Sequence, residues 1–443
     1  MNRRVTVRFC FALGGELLLM ATLNLFADWT LEAMPVRFVA AAVAAGIVYF
    51  FAVSHFPALS ASKQALLFWT VAVVLRVIVL PLPPGDDLWR YLWEGKIQHA
   101  GFNPYMQPPD DPQLERVRDE FPAWSKINHR EFSAIYPPGA ELLFCALSRI
   151  SDNPLLYKLL FAAADLGTIA LLLRLIGGAE QYARTAWYAW NPLVIYSFAG
   201  AAHFDSLMIL PTIAGVLCLT RFEPASEGRG KWLLATAAAA LFGVAISIKL
   251  IPLLLLPLCA IAMRSRAPAL ALSVGLPVLL SAHYGWPEIP IWNSLRSFAY
   301  VTRLNDLFWW IIEETVWPNP RQKNYHYNVV IVATVVLLSV LFWRNWRRGM
   351  LWVLGAALIL TPVLHPWYCT WILPFAVWRR VPPWLVLSVS LFAYYLFWNE
   401  RLFLLPWHSE LWMRAIIILP PTVALLLLAR QRARPAAVDR ALL

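Results

Sequence analysis

Residues 84–105 read PGDDLWRYLWEGKIQHAGFNPY and set Asp86 and Asp87 side by side, with Arg90, Tyr91, Glu94 and Gln98 following Asp87 at three- and four-residue spacing. Pro83-Pro84-Gly85 breaks the chain just before this stretch, and Gly101 with Asn103-Pro104 stops it. A helix opening at the acids would carry Asp87, Arg90, Tyr91, Glu94 and Gln98 on one wet face, and Leu88 and Leu92 with Trp89 and Trp93 on another. Such a helix suits a membrane interface. Capping the free N–H groups of its first turn takes one carboxylate, Asp86 or Asp87. The other is left to act as a base on an attacking hydroxyl. A departing anion would then need cations or hydrogen-bond donors. Arg90, Lys249 and His365 are the candidates. Lys249, in AISIKLIPLLLLPL, is isolated between two apolar runs and lacks a sequence-local partner. Its bland alternative is snorkelling to the outer interface.

Three further placements matter. WNPLVIYSFAGAAHFDSLMILP, residues 190–211, sets His203 and Asp205 at a tight helix-to-helix turn, where Asp205 could simply cap the next helix. LHPWYCTWILPF, residues 364–375, sets His365 beside Trp367 and Tyr368, a pattern that an interfacial aromatic belt also produces. Asp165 lies inside an apolar run with Lys158 two turns away, a pair expected to neutralise each other. Asp86, Asp87 and Asp205 could in principle bind a divalent metal, but two adjacent acids are too few to claim a site. No Walker motif, GxGxxG, HExxH or CxxC is present, and no segment reads as a nucleotide-binding βαβ unit. An enzyme built this way would draw its energy from an activated substrate already in the membrane.

The elements that must hold these residues are set by composition. Of 443 residues, 60% are hydrophobic and 14% charged, where soluble domains run nearer a quarter charged. Apolar runs such as VRFVAAAVAAGIVYFFAV at 36–53 and NVVIVATVVLLSVLFW at 328–343 recur along the chain. The expected fold is an all-α polytopic membrane protein, a single integral membrane domain over 1–443. The formal charge of +11 sits at the ends of apolar runs, which argues for topology and against a nucleic-acid partner. Cys10, Cys145, Cys218, Cys259 and Cys369 all lie in apolar surroundings without metal-ligand spacing and read as small core residues. The basic, then apolar, start reads as an uncleaved first span.

With Arg3, Arg4 and Arg8 inside, the clusters Arg174/Arg184, Arg221/Arg229/Lys231, Arg264/Arg266, Arg344/Arg347/Arg348, Arg379/Arg380 and Arg430/Arg432/Arg434 all fall inside as well. The spans are then 8–27, 36–55, 63–83, 154–174, 186–201, 205–221, 232–248, 250–263, 268–284, 326–343, 349–364, 367–378, 382–398 and 409–429. The expectation is therefore about 12–14 spans with both termini cytoplasmic. Residues 84–153 form a first large outer loop in which YPPGAELLFCALSRI, 136–150, lies along the membrane as a juxtamembrane helix, and 285–325 form a second. The scheme gathers Asp86–Tyr105, His203–Asp205, Lys249 and His365–Tyr368 on the outer side. Charge at a membrane is costly, so such a gathering marks a functional cavity.

The ordered set DDLWRYLWEGKIQHAGFNPY, YPPGAELL, WNPLVIYSFAGAAHFDSLMIL, SIKLIPLLLLP and LHPWYCTWILPF resembles bacterial mannosyltransferase-like members of the type C glycosyltransferase superfamily over about residues 75–380. The resemblance implies a helical bundle in the cytoplasmic membrane with an extracytoplasmic active site. It implies a polyprenyl-phosphate sugar donor, mannose first among the candidate hexoses, and a lipid or glycan acceptor of the cell envelope. It implies one inverting displacement without a certain cofactor. An essential acid follows a span in the first outer loop of such enzymes, the position of Asp86 and Asp87. Lys249, with Arg90 or His365, would hold the departing lipid phosphate. Tyr91, Glu94, Asn103, Tyr105 and Tyr136 from the first loop, with His203, Asp205, Trp367 and Tyr368, would line the substrate pocket. Here two spans precede the span that leads into the acidic loop, where many members have one, so the first two helices read as an addition.

A transporter or lipid flippase for envelope precursors is the main alternative, but no second copy of the 84–105 cluster accompanies the first. A noncatalytic membrane scaffold would tolerate loss of both acids. The topology is directly testable: a Gln107→Cys variant should react with an impermeant thiol reagent added outside intact cells. Labelling only after permeabilisation would invert the scheme.

Overall fold

A computed structural model of the chain describes residues 3–223, 228–320, 323–402 and 411–433. Arg434 and positions 409–410 of the last expected span lie outside the described residues. The described residues are mostly helical. Their only strand-like feature is an isolated parallel bridge between Leu304 and Val363.

The helices that frame the site are α1 (Arg3–Thr22), α2 (Met34–Ser54), α3 (Ala61–Val79), α4 (Asp87–His99), α5 (Pro138–Ser148), α6 (Pro154–Ile176), α7 (Asp205–Phe222) and α8 (Arg229–Ile248). Further along come α9 (Tyr325–Leu341), α10 (Trp346–Leu360) and α11 (Leu411–Ala433). Local chemistry explains their ends. Asn153 accepts from the Leu155 N–H at 2.9 Å ahead of Pro154, and Gly177 (φ 58°) closes the same helix. Asn191 caps residues 192–195 through the N–H groups of Leu193 and Val194.

Eight helical segments among the described residues are long and apolar enough to cross a membrane, including one continuous run over Ile251–His283. That run joins two of the spans read from hydropathy. The segments expected at 186–201, 326–343, 349–364, 367–378 and 382–398 are shorter helices or broken ones. Pro192, Pro366, Pro374 and Pro383 each open a new helical piece, because proline has no N–H to continue the ladder. Broken backbone at membrane depth is tolerated where protein surrounds it, and residues 191–200 and 391–397 are buried throughout.

Charges inside the bundle tie α3 to α6. Arg76 Nε donates to Asp165 at 2.8 Å, its Nη1 donates to the carbonyls of Ala72 and Ala189, and Tyr188 donates to the other Asp165 oxygen at 2.8 Å. Lys158, expected to neutralise Asp165, instead donates to the carbonyls of Leu80, at 2.9 Å, and Leu82. Those carbonyls are free because the chain breaks at Pro83-Pro84, so the lysine anchors the backbone that leads into Asp86. Helix α4 then lies across α5 so closely that a Cβ on Gly95 would collide with the Phe144 carbonyl.

A buried ion pair costs most when one partner is removed. Asp165→Asn should therefore lower stability by about 3–5 kcal/mol, read as a lower unfolding midpoint in detergent. The double variant Arg76→Met/Asp165→Leu should recover much of that loss. Equal midpoints for Asp165→Asn and wild type would show that the pair stabilises nothing.

Candidate active site

Among the described residues, one large cavity of about 1960 Å³ opens where the end of α3, the start of α4, the turn before α7, the end of α8 and the segment 361–371 meet. Its walls include Asp86, Asp87, Tyr136, His203, Lys249, His365, Trp367, Tyr368 and Trp371. Residues more than 250 positions apart thus converge, and the four polar groupings read from the sequence share one space.

The acids come first. Asp86 stands at the N-cap position of α4 but makes no capping bond through its side chain. The Gly85 N–H donates to the Ala201 carbonyl at 2.8 Å, which fixes the loop against the turn before α7. Both acids are therefore free for other work. Asp87 Oδ1 accepts from Asn128 Nδ2 at 3.1 Å, and its Oδ2 lies 3.7 Å from His203 Nδ1. Burial, with the repulsion of Asp86 added, lifts Asp87 to about 7, while Asn128 and Lys249 pull the other way. A carboxyl in that range exchanges a proton near neutral pH.

The cation is Lys249. Helix α8 ends at Ile248, and Lys249 continues in extended backbone (φ −155°, ψ 140°). Its Nζ lies 2.6 Å from Asp205 Oδ1 and within 5.0–5.1 Å of the rings of Phe204, Tyr368 and Trp371. It is held at the cavity wall by an acid and three aromatic faces. Asp205, buried at the first turn of α7, also accepts from Trp371 Nε1 at 2.5 Å and is absent from the cavity wall. It holds the lysine through Oδ1.

The histidines are stacked. His203 lies 3.6 Å from the Trp367 ring, and His365 lies 4.3 Å from it on near-parallel planes. Burial, with Lys249 adding repulsion, pushes His203 well down and His365 to about 3, so both are neutral at pH 7. His365 Nδ1 lies 3.1 Å from the Tyr394 hydroxyl. A neutral His365 offers a hydrogen bond to a phosphate but no charge.

Several expected residues prove to be supports. The face of α4 read as wet is buried: Arg90, Tyr91 and Glu94 are 5%, 1% and 1% exposed. Arg90 reaches the cavity wall, but Nε bonds Glu94 at 2.9 Å and the remaining nitrogens bond the carbonyls of Asn128, His129 and Phe132. Its donors fix the loop that presents Asn128. Tyr91 packs face to face on Phe144 (4.7 Å) and edge-on to Phe204 (5.2 Å), forming the cavity floor with Tyr136. Glu94, Asn103 and Tyr105 are not on the cavity wall. Asn103 donates to the Tyr284 carbonyl at 3.0 Å and Tyr105 to the Tyr136 carbonyl at 2.6 Å, so both brace the first loop.

Asn128, Tyr196, Trp371, Tyr394 and Tyr395 also stand on the cavity wall, and sequence reasoning missed them. Trp371 had a signal, being one turn beyond Tyr368, on which it stacks at 4.1 Å. Asn128 had none, since it sits in irregular chain 41 residues from its partner. Nor did the π-helical turn Tyr196–Gly200, a feature often found at functional sites. Among the described residues no group of three or more His, Cys, Asp or Glu is arranged to hold a metal ion.

A multi-pass helical bundle thus holds a paired-acid loop and a caged lysine around one deep cavity, an arrangement able to take a proton from a hydroxyl and to meet a departing anion, as a membrane glycosyltransferase requires. The chain matches the family described as Alpha-(1->6)-mannopyranosyltransferase, N-terminal domain, over residues 9–265, more than half its length, and it belongs to that family. No curated protein and no solved structure gives a significant match. The protein is thus a mannosyltransferase-type enzyme, and the transporter and scaffold readings give way. The matched region includes Asp86, Asp87, Asn128, His203, Asp205 and Lys249, and it stops short of His365 and Trp367.

The electrostatics of the acids can be checked by substitution. Asp86→Asn should lower the Asp87 titration below about 7, because a repelling charge is gone, and Asn128→Ala should raise it, because a bond to the ionised form is gone. The pH dependence of the carboxyl infrared band against Asp87→Asn reads both. Shifts of the opposite sign would refute the geometry.

Proposed function

We propose that the protein transfers mannose from a polyprenyl-phosphate carrier to a hydroxyl of a lipid or glycan acceptor, on the outer face of the cytoplasmic membrane. Residues 1–443 act as one membrane domain, with 84–153 and 285–325 as its outer loops, and both termini are cytoplasmic. The family description favours an α-(1→6) bond, hence attack by a primary hydroxyl of an acceptor mannose. One observation carries the reading: Asp87, held by Asn128 and lifted to about 7, shares a cavity with the caged ammonium of Lys249.

In the proposed step, Asp87 takes the proton of the acceptor hydroxyl as its oxygen attacks the anomeric carbon. The bond from that carbon to the phosphate oxygen breaks, and its electron pair leaves with polyprenyl phosphate. Lys249 meets the charge that grows on the phosphate, and His365 adds a neutral hydrogen bond. Attack opposite the leaving group inverts the anomeric centre. Asp205 and Trp371 act by keeping Lys249 in place, a positioning role. The ring stack of His203, Trp367 and His365 gives the transferred sugar a flat wall and shuts out water.

The sign of the pH dependence follows. Only ionised Asp87 can accept the proton, and its fraction falls about tenfold per unit below a pKa near 7. Transfer should rise with pH through about 7 and then level off. Purified protein would be offered a radiolabelled panel of polyprenyl-phosphate monosaccharides with envelope lipid extract. Asp87→Asn should lose about 10²–10⁴-fold in rate, with donor binding retained. Lys249→Met should raise the KM for the donor more than that for the acceptor. Full activity in Asp87→Asn would remove the proposed base, and failure of every polyprenyl donor would remove the donor class.

A further inference from the structure

The cavity extends well beyond the acids and Lys249, and its two ends differ in chemistry. One end is apolar, walled by Leu250, Ile251, Leu254, Ile331, Leu354 and Leu358. It begins at Lys249 itself, since Leu250 and Ile251 follow the lysine in the chain. The other end runs to the corner between α1 and α2, where Asn24, Asp28, Trp29 and Thr30 reach the wall. Asn24 Nδ2 donates to the Ile78 carbonyl at 3.0 Å, so this corner stands level with the end of α3 and with the acidic loop.

The corner has the parts of a sugar site. Trp29 is half-buried, its ring held edge-on to Phe38 at 5.1 Å and tilted against Tyr395 at 5.4 Å and Trp398 at 5.7 Å. Asp28 Oδ1 accepts from the N–H and hydroxyl of Thr30 at 3.1 and 2.6 Å. Asn24 Oδ1 is buried without a protein partner. A rigid indole with a carboxylate, an amide oxygen and a hydroxyl around it matches the C–H face and the hydroxyl rim of a hexose. Two carboxylates, Asp28 and Asp86, make this end hostile to a phosphate. Tyr196 and Tyr395 continue the wall from this corner, Tyr395 lying 5.4 Å from the Trp29 ring and 5.5 Å from that of Tyr196.

We propose that the corner between α1 and α2, with Trp29 as platform and Asp28 and Asn24 as hydroxyl ligands, is the acceptor subsite, binding a neutral mannose residue of the growing glycan. The inference rests on the reading that Asp87 and Lys249 bracket the reacting bond. The lipid carrier then takes the apolar end beside Lys249, and the acceptor chain approaches from the opposite end, past Asp86. The two helices that precede the span into the acidic loop thereby complete the acceptor half of the cavity.

The test is direct binding, without turnover, of phosphate-free α-(1→6)-mannotriose to the full-length protein in detergent, followed by saturation-transfer NMR and calorimetry. Wild type should bind it, and Asp28→Asn and Trp29→Ala should each raise Kd about tenfold or more. Trp29 packs on three rings, so its variant is read beside the isosteric Asp28→Asn, with unfolding midpoints compared. No binding by wild type, or unchanged Kd in Asp28→Asn, would each overturn the proposal. Binding that depends on Asp28, in a protein that uses no polyprenyl donor, would keep this subsite and remove the donor reading instead.

Discussion

The Lys249–Asp205 pair is the constraint around which the site is built. An ammonium ion at the edge of the hydrocarbon is tolerable only when paired and hydrogen-bonded. Here the partner opens α7, the cation follows the last residue of α8, and these two helices pack along their length. The pair therefore locks the facing ends of both. Trp371 shares the same carboxylate oxygen, which fastens the 366–371 turn to the same point. Three segments distant in sequence are pinned at one atom. Neither helix end can shift without leaving a charge unpaired.

A second layer of polar contacts sets the acids. Lys158 holds the carbonyls at Leu80 and Leu82, and the Gly85 N–H meets Ala201, so the break at Pro83-Pro84 has a fixed path. Arg90 spends its donors on the 128–132 backbone, which brings Asn128 to Asp87. The result divides labour between adjacent residues of one type. Asp87 is turned toward Asn128 and His203, while Asp86 makes no capping bond and stands on the cavity wall. Neighbours in sequence at a helix start point about 100° apart, and that rotation is enough to give two carboxylates two environments.

The cavity is also divided along its length. Aromatic rings and a lysine border an apolar wall at one end, and carboxylates, an amide and an indole stand at the other. On the proposed reading, a donor with a hydrocarbon tail and an anionic head enters with its tail along the apolar wall, because the reverse would place its phosphate against Asp86 and Asp28. The orientation follows from charge and hydrophobicity alone and needs no moving part.

The all-helical membrane architecture was legible in the amino-acid order alone, because apolar runs this long have no other way to satisfy their backbone. So was the gathering of the costly polar residues around one space. Acids, a lysine and histidines are too costly at a membrane to persist as filler, and Asp86, Asp87, His203, Lys249 and His365 all reach the cavity. What each of them does depends on the folded arrangement. Helical spacing puts Arg90, Tyr91 and Glu94 on one face of α4, but whether that face meets water depends on α5 lying across it, and α5 comes some forty residues later. Spacing likewise pairs Lys158 with Asp165, while α3 brings Arg76 to the acid and broken backbone to the lysine. Partners for Lys249 and Asp87 lie 44 and 41 residues away. A buried charge takes whichever counter-group the packing delivers, and packing is not written in any one segment.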